Sequence, residues 1–123
     1  MPDRSRVFLV GWIVFSILIT TGSLVPIEDV PKAASLINNK IQHGGAYFLL
    51  GLLGWQASTS RRQKSILVLL SAGLGVGIEY VQPLTGRTFE WADMAANTVG
   101  LILAVILSGF LEVRFTPKNR IKL

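Results

Sequence analysis

The sequence predicts an all-α membrane protein, a bundle of four transmembrane helices with both termini cytoplasmic. Three observations carry the prediction. Half of the 123 residues are hydrophobic and only 15% are charged, where a soluble domain carries about a quarter charged. The apolar residues fall in four long runs without a formal charge. Lys and Arg are distributed unevenly between the connections that join those runs.

The first run, residues 7–25, opens after Arg4 and Arg6 and closes at Pro26. At about 1.5 Å per residue it reaches close to the ~30 Å of a bilayer core. It is longer than the roughly 7–15 residues of a signal-peptide apolar region, so a retained helix is expected. The second run, 41–60, holds only Gln42 and His43 as interruptions at its start. The third helix is expected over 65–82, since Pro83 is the first breaker after Glu79. The fourth is expected over 91–111, starting near Trp91. The chain carries no internal repeat and no linker, and reads as one membrane domain spanning residues 1–123.

Four spans put both termini on one side. That side then collects nine of the twelve Lys and Arg residues, against three on the other. The positive-inside rule makes it cytoplasmic, so the loops 26–40 and 83–90 face outward. The net charge of +5 is therefore read as orientation and lipid-headgroup charge, with no nucleic-acid partner expected. Ala92, Ala96, Gly100, Ala104 and Ser108 form a stripe of small residues on the fourth helix. Gly73, Gly75 and Gly77 are expected to serve the same purpose on the third, helix packing within the bundle.

Ionisable groups inside membrane spans are costly, and each one needs a reason. Here they gather at one end. Lys40, His43 and Tyr47 share a face at the start of the second helix, Glu79 and Gln82 lie at the end of the third, and Asp93 and Asn97 at the start of the fourth. Arg87 is in the loop between the last two. All fall at one depth, near the outer surface.

Lys40, Tyr47, Gln82, Arg87 and Asn97 are the candidate ligand-binding groups, for an anionic headgroup or envelope precursor. A guanidinium can grip phosphate or carboxylate in two-pronged fashion. His43, Glu79 and Asp93 are the candidate acid/base groups, because imidazole titrates near neutral pH. A structural network, with Arg87 paired to Glu79 or Asp93, would need the same side chains. No cofactor and no metal is expected: there is no Cys, no HExxH and no paired-His spacing. No GxSxG elbow or phosphate-cradling loop is present. The partners expected are membrane lipid and an anionic envelope ligand; nothing in the sequence sets an oligomeric state.

Read in order, Ser23-Leu24-x-Pro26, Lys40-x-x-His43 with Tyr47, Glu79-x-x-Gln82, Gly86-Arg87-Thr88 and Asp93-x-x-x-Asn97-x-x-Gly100 resemble the VanZ-like family of small bacterial membrane proteins. The resemblance covers nearly the whole chain. It departs at Asn39, where many relatives carry an acidic residue. It implies a multi-pass protein of the bacterial plasma membrane and cell envelope. The family's namesake is associated with resistance to the glycopeptide teicoplanin, and the family name brings no settled reaction with it.

Overall fold

The computed structural model describes residues 3–26 and 39–115, with side chains to residue 112. The connection 27–38 with Lys32, and the C-terminal Lys118, Arg120 and Lys122, lie outside the described residues. The described chain is all helical: α1 (Arg4–Leu24), α2 (Asn39–Ala57), α3 (Arg61–Val81), a 3-10 turn (Gln82–Thr85) and α4 (Trp91–Phe115).

Local capping explains where helices outrun the apolar runs. Asp3 caps α1 by accepting from the Ser5 backbone N–H, and the Ser5 hydroxyl donates to it at 2.9 Å. These two bonds, the hydroxyl's first, hold the Asp3 carboxyl below the usual carboxylate range. Ser60 caps α3 by accepting from Gln63 N, while the Gln63 side chain reaches back to Thr59 N and Oγ1. This is a variant of the reciprocal capping box, and it starts α3 four residues before the uncharged run. At the other end Pro83 stops the α-helix, and Gly86 closes the 3-10 turn at φ +81°, a left-handed value that favours glycine.

Three helices, Arg4–Leu24, Arg61–Thr85 and Trp91–Glu112, are long and apolar enough to cross a membrane. α2 is not among them, which corrects the sequence expectation that the run 41–60 is a clear span. Its first two turns spend their length on Lys40, Gln42, His43, Gly44 and Gly45. α2 is also the helix with the most protein around it: its largest contact is with α4, and it touches α1 and α3 as well.

The α2–α4 contact is a seam of small residues. A Cβ at Gly100 would stand 2.2 Å from the Gly44 carbonyl oxygen, and one at Gly51 would stand 2.7 Å from Ala104 Cβ. Ala104 and Ser108 are buried, whereas Ala92 is exposed, so the predicted stripe meets α2 only from about Ala96 onward. Close backbone approach of this kind is how membrane helices gain van der Waals contact where burial from water contributes little. Tyr47, Leu50 and Leu101 form the core beside the seam, with Trp12, Phe15 and Ile19 of α1 against it.

On α3 the expectation divides. Gly75 is packed, since a Cβ there would meet Tyr47 at 3.0 Å and Asn97 at 3.2 Å. Gly73 and Gly77 face outward with nothing within 4 Å, and so take no part in packing within the bundle. α1 meets α3 through one buried polar link. Trp12 Nε1–H donates to Ser71 Oγ (3.1 Å), and that hydroxyl donates to the Leu67 carbonyl (2.8 Å).

At the end carrying the termini, Lys64 pairs with Glu112 (3.0 Å) and stands 4.6 Å over the Trp55 ring, whose Nε1–H also donates to Glu112. Lys64 is therefore a tie between α2, α3 and α4 as well as part of a basic run.

Candidate polar site at the end of the bundle

The far end of the bundle gathers most of the predicted side chains, because α2 and α4 begin there and α3 ends there. Helical spacing does the rest. Asn39, Lys40 and His43 come from the first turns of α2, and Asp93 and Asn97 from the first turns of α4.

Asp93 is the hub, and it is buried. Its Oδ1 accepts from Lys40 Nζ and from Asn39 Nδ2 (3.0 Å), and its Oδ2 faces His43 Nε2 at 3.6 Å. Lys40 is shared with Glu90. The other ring nitrogen of His43, Nδ1, lies 3.0 Å from Asn97 Oδ1. The imidazole is thus within hydrogen-bond distance of Asn97 at one nitrogen, while the other faces a carboxylate oxygen from beyond that distance. About 15% of the side chain is open. Lys40 is more accessible than the imidazole, at 39%, and Glu90 is more accessible still, at 46%.

Glu79 is buried and accepts from the Glu90 backbone N–H at 2.7 Å. It therefore fixes the residue preceding α4, from the end of α3. Tyr47 and Asn97 are both buried and meet at Gly75, where the missing side chain leaves room for the two of them.

Two predicted residues do something else. Arg87 forms no pair with Glu79 or Asp93. Its Nε donates to the Val25 carbonyl (2.8 Å) and an Nη to the Gly22 carbonyl (3.2 Å). Gln82, also buried, donates to the Ser23 carbonyl (3.1 Å). The last carbonyls of a helix lack intrahelical partners and form its negative end, which attracts a guanidinium. Gln82 and Arg87 therefore cap α1 rather than line the cluster.

The sequence reading missed Asn39 and Glu90 as members. Glu90 stands three residues before Asp93 and fifty after Lys40, at the last position of the expected loop 83–90. The i, i+3 relation to Asp93 was the available signal.

Directly below the cluster, α2 and α4 leave an apolar groove of about 290 Å³ lined by Gly44, Gly45, Phe48, Val99, Gly100 and Leu103. Lys40, Gly44 and Phe48 recur every four residues, so Lys40 stands at the head of the groove. Among the described residues, no group of three or more His, Cys, Asp or Glu side chains is arranged to hold a metal ion.

The fold and site define a small helical bundle with three bilayer-length apolar helices and a polar network at the end opposite its termini. The VanZ/LLP1 family profile matches residues 7–112, and the chain belongs to that family. It is 39% identical over 90 residues to an uncharacterized protein of the fission yeast Schizosaccharomyces pombe, a match covering 70% of this chain and 56% of that one. The chain thus spans little more than half the length of this curated relative. No solved structure matches.

Proposed function

We propose that the protein is a four-span membrane protein that recognises a lipid-linked anion, headgroup at the Lys40 end and chain along the α2–α4 groove. The observation that carries this reading is the position of the groove. Its apolar wall begins one helical turn below Lys40. A polar end above an apolar slot suits an amphiphile, for which few polar groups fix orientation and apolar walls supply contact. Lys40 is the exposed cation of the cluster, beside the still more exposed Glu90, and His43 is partly open. α2 completes the fourth span: its polar first turns sit at the membrane surface, and protein surrounds much of its length.

Both termini face the cytoplasm in this reading, by the charge asymmetry, and in a bacterium the protein resides in the plasma membrane. The fission-yeast relative favours a ligand common to bacterial and eukaryotic membranes. A polyprenyl phosphate or phospholipid fits that condition better than a peptidoglycan precursor does. Altered teicoplanin susceptibility would follow only indirectly, through competition for envelope lipid.

The test uses the purified chain in detergent with a short polyprenyl phosphate, and the matching alcohol beside it. Binding is read from the fluorescence of Trp91, which is exposed near the cluster. The phosphate should bind more tightly than the alcohol, and Lys40→Gln should erase the difference. Gly45→Leu, placed where a side chain meets nothing within 4 Å, should fill the groove and weaken both. Equal affinity for phosphate and alcohol in the wild type refutes the reading.

A second reading makes the cluster catalytic. The placement of His43 between Asn97 and Asp93 is what favours it, since an oriented imidazole backed by a carboxylate is a general acid/base arrangement. Release of inorganic phosphate from a polyprenyl diphosphate, lost in His43→Gln, would establish it.

A further inference from the structure

Deep in the bundle α1 and α3 are joined by the Trp12–Ser71 bond. At the opposite end of the bundle from the polar cluster, the start of α1, the end of α2 and the start of α3 border a cavity of about 310 Å³. Its inner wall is apolar, made by Leu9, Ala57, Ile66 and Leu67. Its rim is polar, with Ser5 and Arg6 on α1 and Thr59 and Gln63 on the α2–α3 connection and first turn of α3. The volume lies at the lower end of small-molecule sites, roughly 300–1,000 Å³.

Charge decides what belongs there. The described residues at this end are Arg4, Arg6, Arg61, Arg62 and Lys64 against Asp3 and Glu112. Lys64 is committed to Glu112 and Arg4 donates to Gln56. Arg6 stands on the cavity rim itself. The apolar wall starts one helical turn below it, at Leu9, and continues down α3 at Ile66 and Leu67. An apolar slot under a cationic rim, at the level where a membrane presents its headgroups, matches an anionic phospholipid: methylenes against Leu9, Ile66 and Leu67, phosphate at Arg6.

We propose that the α1–α3 cleft at the terminal end binds an anionic phospholipid of the adjoining leaflet. This site is separate from the Lys40 cluster and depends on the chain being membrane-embedded, not on what the cluster binds. Its occupant would fill the space bordered by α1, the end of α2 and the start of α3.

The experiment compares spin-labelled phosphatidylglycerol with spin-labelled phosphatidylcholine on the full chain in phosphatidylcholine vesicles, reading the fraction of immobilised lipid. The wild type should favour phosphatidylglycerol by about fivefold, which is what one basic side chain contributes at an anionic surface. Arg6→Gln should bring the ratio to near unity. Leu9→Trp, which fills the slot, should do the same, while Val10→Trp on the exposed side of α1 should leave it unchanged. The variants are compared in a Lys40→Gln background, so that no anion preference at the other end of the bundle enters the ratio. That keeps failure of this site distinct from failure of the Lys40 reading. A wild-type ratio of one overturns the proposal, and so does a ratio that survives Arg6→Gln. If Leu9→Trp does not fold, Arg6→Gln alone decides.

Discussion

Gly100→Ala adds one methyl group to the α2–α4 seam. Its Cβ would stand 2.2 Å from the Gly44 carbonyl oxygen and 3.0 Å from Phe48 N, both backbone atoms. Carbon and oxygen rest at about 3.3–3.6 Å, and no side chain can swing aside to make room. The helices must therefore part by roughly 1 Å, and a gap of that size forfeits up to about half of each dispersion contact it opens. The contacts at stake are those of Leu50 against Leu101 and Gly51 against Ala104. Overpacking costs about 1–3 kcal/mol, and a backbone clash belongs at the upper end. Alanine's better helix propensity returns about 1 kcal/mol, so the net loss should be about 2 kcal/mol. The control is Gly73→Ala, which meets nothing and should stabilise by about 0.5–1 kcal/mol. Unfolding both variants in detergent micelles, by heat or by added sodium dodecyl sulfate, gives the comparison. If Gly100→Ala is as stable as wild type while Gly73→Ala behaves as expected, α2 and α4 do not approach this closely.

The other predictions are more local. Lys40→Ala removes a cation from buried Asp93 and should cost about 1–3 kcal/mol; adding Asp93→Asn should recover part of that, and strict additivity in the melting series would break the inferred pairing. Trp12→Phe removes the indole donor to Ser71 and should cost only about 0.6 kcal/mol, the average for a hydrogen bond between membrane helices; an effect of several kcal/mol would mean the ring's packing matters more. Arg87→Lys keeps the charge but loses the two-carbonyl grip on α1, so it should lower the melting temperature nearly as far as Arg87→Gln does, and full rescue by Lys would refute the capping role. The Asp3 cap has a depressed folded-state pKa, so its contribution is complete above the unfolded carboxylate value near 3.9 and is lost as pH falls through the folded one. The protection of the Ser5 amide, measured against its unstructured exchange rate at the same pH, should fall at acid pH in the wild type, and Asp3→Asn, which still caps, should remove that acid response.

Much of the bundle was legible because helix caps and apolar runs are local signals. The four helices and Pro83 as the stop of α3 could be read directly. The shared depth of Lys40, His43, Glu79 and Asp93 followed from alternating helix direction. Partner choice was not legible. Arg87 had two carboxylates within plausible reach in sequence terms, and the structure gives it carbonyl oxygens instead. No pattern of residue types marks a backbone acceptor on a distant helix. The glycines of α3 show the same limit: Gly73, Gly75 and Gly77 look alike in sequence, and only the helix's rotation against α2 and α4 decides which is covered. The run 41–60 carries no formal charge, but Gln42, His43 and Gln56 weigh on its hydropathy, and α2 falls short of the other three helices as a span.

The capping of α1 by Gln82 and Arg87 bears on the order of assembly. The acceptors at Gly22, Ser23 and Val25 are made early, and their donors come about sixty residues later in the chain. During synthesis, which proceeds from the N-terminus, the carbonyl end of α1 precedes these donors. Among the described residues, they arrive with the α3–α4 hairpin. A ribosome stalled after α2 would hold a helix whose carbonyl end relies on water and headgroups. Chains truncated before residue 87 should accordingly be cleared by membrane proteases faster than their intact apolar helices would suggest.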